Sequence, residues 1–143
     1  MAQTQWEVNN NEVRQFNLTW LLAHEFMHNL QFKANADYVI TTTLGKLNWK
    51  LEGHAEYIAR AFKNDGKLRG KIDRYLIEES REHSGLPVFA SEDGTKQILS
   101  YYKYALVIQY LMEIKALDFH EICELEASLD EVYSDMLHWK TFQ

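Results

Sequence analysis

The sequence predicts a mostly helical α+β fold. Apolar residues recur at helical spacing in one segment after another, and with one proline and six glycines in 143 residues there are long stretches without a breaker. A single short span near the start instead alternates in the two-residue rhythm of a strand.

That span comes first. Residues 4–16 set Trp6 and Val8, then Val13 and Phe16, around an Asn triplet, which predicts a small N-terminal strand element, either a hairpin or one edge strand. Asn17 is a good N-cap type, and LTWLLAHEFMHNLQFKA after it spaces Leu18, Leu21, Leu22, Phe26 and Leu30 as a helix that ends near Asn35. DYVITTTLGKLN is β-branched from Val39 to Thr43 and then meets Gly45, which allows a strand or an irregular crossover and favours a loop with some extended character. WKLEGHAEYIARAF repeats apolar positions at Leu51, Ala55, Ile58, Ala59 and Phe62 and stops before Asn64, Asp65 and Gly66, a second helix. A third, amphipathic helix runs through Leu68, Ile72, Tyr75 and Leu76 towards a stop at Gly85 and Pro87. GLPVFASEDG is expected to be a loop, and residues 95–114, apolar on most sides, a central helix. A short helix from Phe119 follows, then a last one from Leu129, opened by a capping box between Ser128 and Glu131.

The whole chain is expected to form one domain, long enough to bury a core without disulfides. Hydrophobic residues make up 46% and charged residues 25%, far from a disordered profile. A net charge of −6 offers no basic field for phosphates, so nucleic acid is not an expected partner. The single cysteine, Cys123, excludes an intrachain disulfide and a four-thiolate zinc site, so any metal must be held by His and carboxylate. No start resembles a signal segment and no apolar run is long enough to span a bilayer, so the chain as written reads as soluble and cytoplasmic. The informative motif begins by residue 24, which also admits a fragment of a longer chain.

The chemistry concentrates in HEFMH, residues 24–28. Positions i and i+4 of a helix share a face, so His24 and His28 can present both imidazoles to one ion. Glu25 then stands beside that ion without binding it. This is the HExxH arrangement, in which two histidines hold zinc and the glutamate takes a proton from the activated water. A zinc hydrolase needs a third protein ligand and an open position, and Glu52 on the next predicted helix is the candidate. Glu56, one turn further, is placed to accept the free ring N–H of one histidine.

HEFMH followed by WKLEGHAEY resembles the gluzincin zinc peptidases, with their HExxH and WLxEG pattern in aminopeptidase-type and peptidase-MA-like members; Trp49, Glu52 and Gly53 stand at the matching positions. The resemblance covers residues 17–62 and only loosely the rest. It implies a zincin-like fold with Zn2+ as cofactor, Glu52 as third ligand and Glu25 as the group that activates water. It also implies a tyrosine from the helical C-terminal part facing the metal, for which Tyr101 is the choice and Tyr104 the next. Gluzincins place a multi-stranded sheet before the first zinc helix, whereas about sixteen residues precede it here, as in a minimal form like the minigluzincins or a truncated member.

The blander readings stand beside these. A histidine pair on an apolar helix is more often structural than ligating, Glu52 and Glu56 could be a solvated face, and a tyrosine on an apolar helix is more often core. His54, two positions from Glu52, points elsewhere and is at most a pocket or rim residue, not a ligand. Phe26 and Met27 are expected to pack the first helix. The function expected is a zinc metallopeptidase acting on a peptide or protein substrate, its oligomeric state unknown. The alternative is a non-catalytic zinc-binding helical module with a regulatory or partner-binding role.

Overall fold

The computed structural model describes residues 18–43, 48–61, 66–90 and 96–142. The strand element expected at residues 4–16 and the Asn17 cap lie outside the described residues. Helix α1 is Leu18–Ala34, α2 Ala36–Thr43, α3 Trp49–Ala61 and α4 Leu68–Glu79. A hairpin of β1 (Val88–Ala90) and β2 (Lys96–Ile98) leads into α5, Leu99–Gln109, which continues as a π-helical turn over Tyr110–Ile114. Helices α6 (Phe119–Glu124) and α7 (Leu129–Phe142) close the chain. The fold is mostly helical with a short antiparallel sheet, as an α+β reading requires.

Helix α5 is the axis. Ala105 to Gln109 are five consecutive buried residues, so every side of the helix is covered. It packs most extensively on α3, and also on α4 and α7. Leu68, Ile72 and Tyr75 of α4 meet Tyr102, Leu106 and Val107 of α5, with Ile122 of α6 and Val132 and Met136 of α7 completing the core. Each fully buried large apolar side chain contributes about 1.5–3 kcal/mol. Both α6 and α7 begin in side-chain caps: Asp118 and Glu121 form a reciprocal box, and Ser128 with Glu131 forms the expected one.

The structure corrects four expectations. Residues 39–43 are helical in α2, not extended. Asn35 Oδ1 accepts from the Tyr38 amide, and Thr41 and Thr42 donate their hydroxyls to carbonyls one turn back, so a β-branched run is satisfied inside a helix. The expected loop GLPVFASEDG contains β1, and residues 96–98 form β2 rather than the start of the central helix; Val88 pairs with Ile98 and Ala90 with Lys96. Strands of three residues are too short for alternation to be read. Third, α4 stops at Glu79, well before Gly85.

The fourth correction concerns which way α1 faces. Its buried residues are Trp20, His24 and Gln31, while Leu18, Leu21, Leu22, Phe26 and Leu30 face out, Phe26 at 63% exposure. Phe26 therefore does not pack the helix, and Met27 is half-buried. Polar contacts between α1 and α3 turn the helix this way. Among the described residues no helix is long and apolar enough to cross a membrane.

Candidate metal centre

Helices α1 and α3 lie against each other, and their contact is built from polar groups. His24 Nε2 and His28 Nε2 approach to 3.0 Å. Glu52 Oε2 reaches both, 3.1 Å from His24 and 3.5 Å from His28. One ligand atom from each of the three residues falls within 4.8 Å of the others, bringing together the three residues that the sequence singled out.

Each ring has a polar group close behind it. His24 Nδ1 lies 2.9 Å from Glu56 Oε1, and Gln97 of β2 donates Nε2–H to Glu56 Oε2 at 2.6 Å. His28 Nδ1 lies 2.8 Å from Gln31 Oε1, whose Nε2 in turn reaches the Leu51 carbonyl at 2.9 Å and His54 Nδ1 at 3.1 Å.

Next to Glu52, α3 comes close to α5. A Cβ at residue 53 would sit 2.6 Å from the Tyr104 carbonyl oxygen and 2.8 Å from Ile108 Cγ1, so only glycine fits. The glycine after Glu52 is thus a spacing device between helices. On the same helix, buried Lys50 donates to the Cys123 and Leu125 carbonyls where α6 ends.

Residues 3–136 match the model of a peptidase family described as collagenase. The chain belongs to the collagenase family. Collagenase-family proteins are zinc metallopeptidases, so zinc is the cofactor and peptide-bond hydrolysis the general chemistry. No curated protein and no solved structure matches the chain.

The donor set fits the collagenase family's metal. Ligand atoms about 2.0–2.1 Å from a tetrahedral zinc stand about 3.3 Å from one another, and the separations of 3.0, 3.1 and 3.5 Å here bracket that edge. Two imidazoles and a carboxylate are a hydrolytic zinc set, in which one corner stays open.

Without a cation the cluster holds protons instead. Burial lowers the pKa of His24, but hydrogen bonds to Glu52 and Glu56 outweigh it and raise it from 6.5 to about 9. His28 is raised by its bond to Glu52 against burial. Burial raises Glu52, and the two histidines more than reverse this, bringing it from 4.5 to about 2. His54 goes the other way, to about 4, through burial and then the charge of His28. It is buried, with its ring 4.4 Å from that of Phe119, so it is a core histidine rather than a rim residue.

Glu25 is exposed on α1 beside His24. The Tyr101 ring, on α5, stands 6.2 Å from that of His24. Burial raises the Tyr101 pKa, and the charges of Glu52, Tyr104, Glu56 and Glu25 add to the rise. The Tyr104 ring lies tilted beside that of Tyr101, their centroids 5.8 Å apart. Sequence reasoning missed Gln31, Gln97 and Lys50. Gln31 sits at i+3 from His28, a helical neighbour spacing that could have pointed to it; the partners of Gln97 and Lys50 are too distant along the chain for any local signal.

Proposed function

We propose that the chain is a gluzincin-type zinc peptidase of zincin-like fold that hydrolyses peptide bonds in polypeptide substrates, with zinc held by His24, His28 and Glu52 and Glu25 as the general base. The observation that carries this reading is the convergence of two Nε2 atoms and one carboxylate oxygen at the edge lengths of a zinc tetrahedron, inside a collagenase-family chain.

When bound, zinc polarises the scissile carbonyl and makes a water acidic enough to lose a proton at neutral pH. The chain's own residues do the rest. Glu25 stands exposed in the turn that carries His24, and it takes the proton of the attacking water and passes it to the leaving amine. Tyr101 keeps its hydroxyl proton at neutral pH because burial and nearby carboxylates oppose its loss. It can therefore donate to the developing oxyanion, a contact worth about 2.7–4 kcal/mol when well placed. Glu56 and Gln31 orient the two rings, and Gln97 orients Glu56.

The test is Glu25→Gln. The parent should bind one zinc per chain and cleave unfolded casein in a chelator-sensitive way; the variant should keep the zinc and lose about 10²–10⁴-fold in rate. Cleavage that survives Glu25→Gln would remove this residue as base. A parent that binds one zinc and cleaves nothing would favour the non-catalytic module.

A further inference from the structure

We propose that Gln31 is a positioning residue for the metal centre: its amide, locked from behind by the Leu51 carbonyl and His54, keeps the His28 ring proton on Nδ1 and so leaves Nε2 as the nitrogen facing the cluster. The inference rests on the reading of His24, His28 and Glu52 as ligands.

The argument starts at Leu51. A backbone carbonyl can only accept, so the atom of Gln31 that lies 2.9 Å from it must be the donor Nε2. That fixes the amide in one of its two orientations, and the atom 2.8 Å from His28 Nδ1 is then Oε1, which can only accept. His28 must therefore carry a proton on Nδ1, and in the neutral ring that binds a cation Nε2 keeps the lone pair. The opposite tautomer would turn an N–H towards His24 Nε2, 3.0 Å away, and close the cluster to a cation.

The second amide proton has its own acceptor. Nε2 lies 3.1 Å from His54 Nδ1, so both hydrogens are spent, one on the backbone of α3 and one on a buried ring of the same helix. Gln31 is 2% exposed, and flipping the amide would set Oε1 against the Leu51 carbonyl with no water to relieve it. The orientation of a ring on α1 is thus dictated by α3, from the residue immediately before Glu52. His24 is treated differently, since its Nδ1 faces the Glu56 carboxylate. A neutral amide behind one ring and a carboxylate behind the other add one negative charge behind the cluster rather than two.

The full chain, zinc-loaded, provides the test, with affinity read by competition against a chromophoric chelator and stability by thermal unfolding. Gln31→Met fills similar space and removes both the acceptor and the donors. Gln31→Glu keeps the acceptor facing His28 and removes the donors. Expected is a loss of about 10–100-fold in zinc affinity for Gln31→Met, with an altered visible spectrum of the cobalt-substituted protein, while Gln31→Glu binds zinc at least as tightly as the parent. Both variants should be less stable than the parent, because Leu51 and His54 lose their donor. A group that merely fills the core would move affinity in step with stability in both variants, and that result overturns the proposal. So does a folded Gln31→Met with parental affinity and cobalt spectrum. If Gln31→Met does not fold, Gln31→Glu decides alone: retained affinity, with His28 shown by long-range ¹H–¹⁵N spectra to be metallated through Nε2, supports the proposal, and lost affinity overturns it. A parent that binds no zinc, or a His28→Ala variant that binds it as tightly, would instead defeat the ligand assignment itself.

Discussion

Helices α1 and α5 are both rich in apolar residues, yet the fold uses them in opposite ways. In α5 burial follows hydrophobicity: Leu106, Val107 and Ile108 are sealed in the core and even Gln109 is buried with them. In α1 the leucines and phenylalanines face out, while His24 and Gln31 face in. One helix is held by area removed from water, the other by a few directed polar contacts to α3. On the proposed ligand assignment, α1 gives its inner face to ligands and their supports, and its apolar side chains take what is left.

The comparison can be tested from both sides. The largest stability loss is expected in α5, where Leu106→Ala should cost about 2–5 kcal/mol in denaturant unfolding and leave zinc stoichiometry at the parental value. An equal loss of zinc would mean that α5 supports the centre as well as the core. Next comes the junction of the two systems. Gly53→Ala forces a Cβ onto the Tyr104 carbonyl, which should cost about 1–3 kcal/mol and also weaken zinc binding, because α3 must move and Glu52 with it.

A smaller effect belongs to pH in the metal-free chain. His24 is raised from 6.5 to about 9, so its proton stabilises the fold in full below about pH 6.5, and that contribution is lost as pH climbs through about 9. Glu52, depressed from 4.5 to about 2, acts in the opposite range: its contribution is present above pH 4.5 and disappears as pH falls through about 2. Melting temperatures of chelated protein should therefore decline between pH 6.5 and 9, whereas zinc affinity should rise over the same interval as protons leave the ligands. A flat profile in the chelated protein would show that the His24–Glu52 pair is not formed. Smallest of all, Phe26→Ser on the outer face of α1 should change stability by no more than about 0.5 kcal/mol, although the same change in the core would be severe.

The sequence made the helices legible wherever periodicity and caps agreed, as at Leu18–Ala34, Trp49–Ala61 and Leu129–Phe142. It failed where local chemistry overrode composition. Thr41 and Thr42 satisfy helical carbonyls with their own hydroxyls, and the paired strands Val88–Ala90 and Lys96–Ile98 are too brief to show a period. Spacing put His24 and His28 on one face, because one turn is a local property, whereas Glu52 came from its place on the next predicted helix and from the gluzincin resemblance. Which face of α1 is buried was not legible, since an apolar stripe looks the same whether or not a stronger polar contact has claimed the opposite side. Gln31 and Gln97 carry no motif; their importance appears only when partners distant in sequence, such as His54 and Glu56, are beside them.

His24 and Glu52 are 28 positions apart along the chain. An ion gripped by both would act as a removable staple closing that loop, and chain-entropy reasoning for a covalent link of this length gives about 3–4 kcal/mol. Loading would then tie the first helix to the third more firmly than the protonated His24–Glu52 pair does alone.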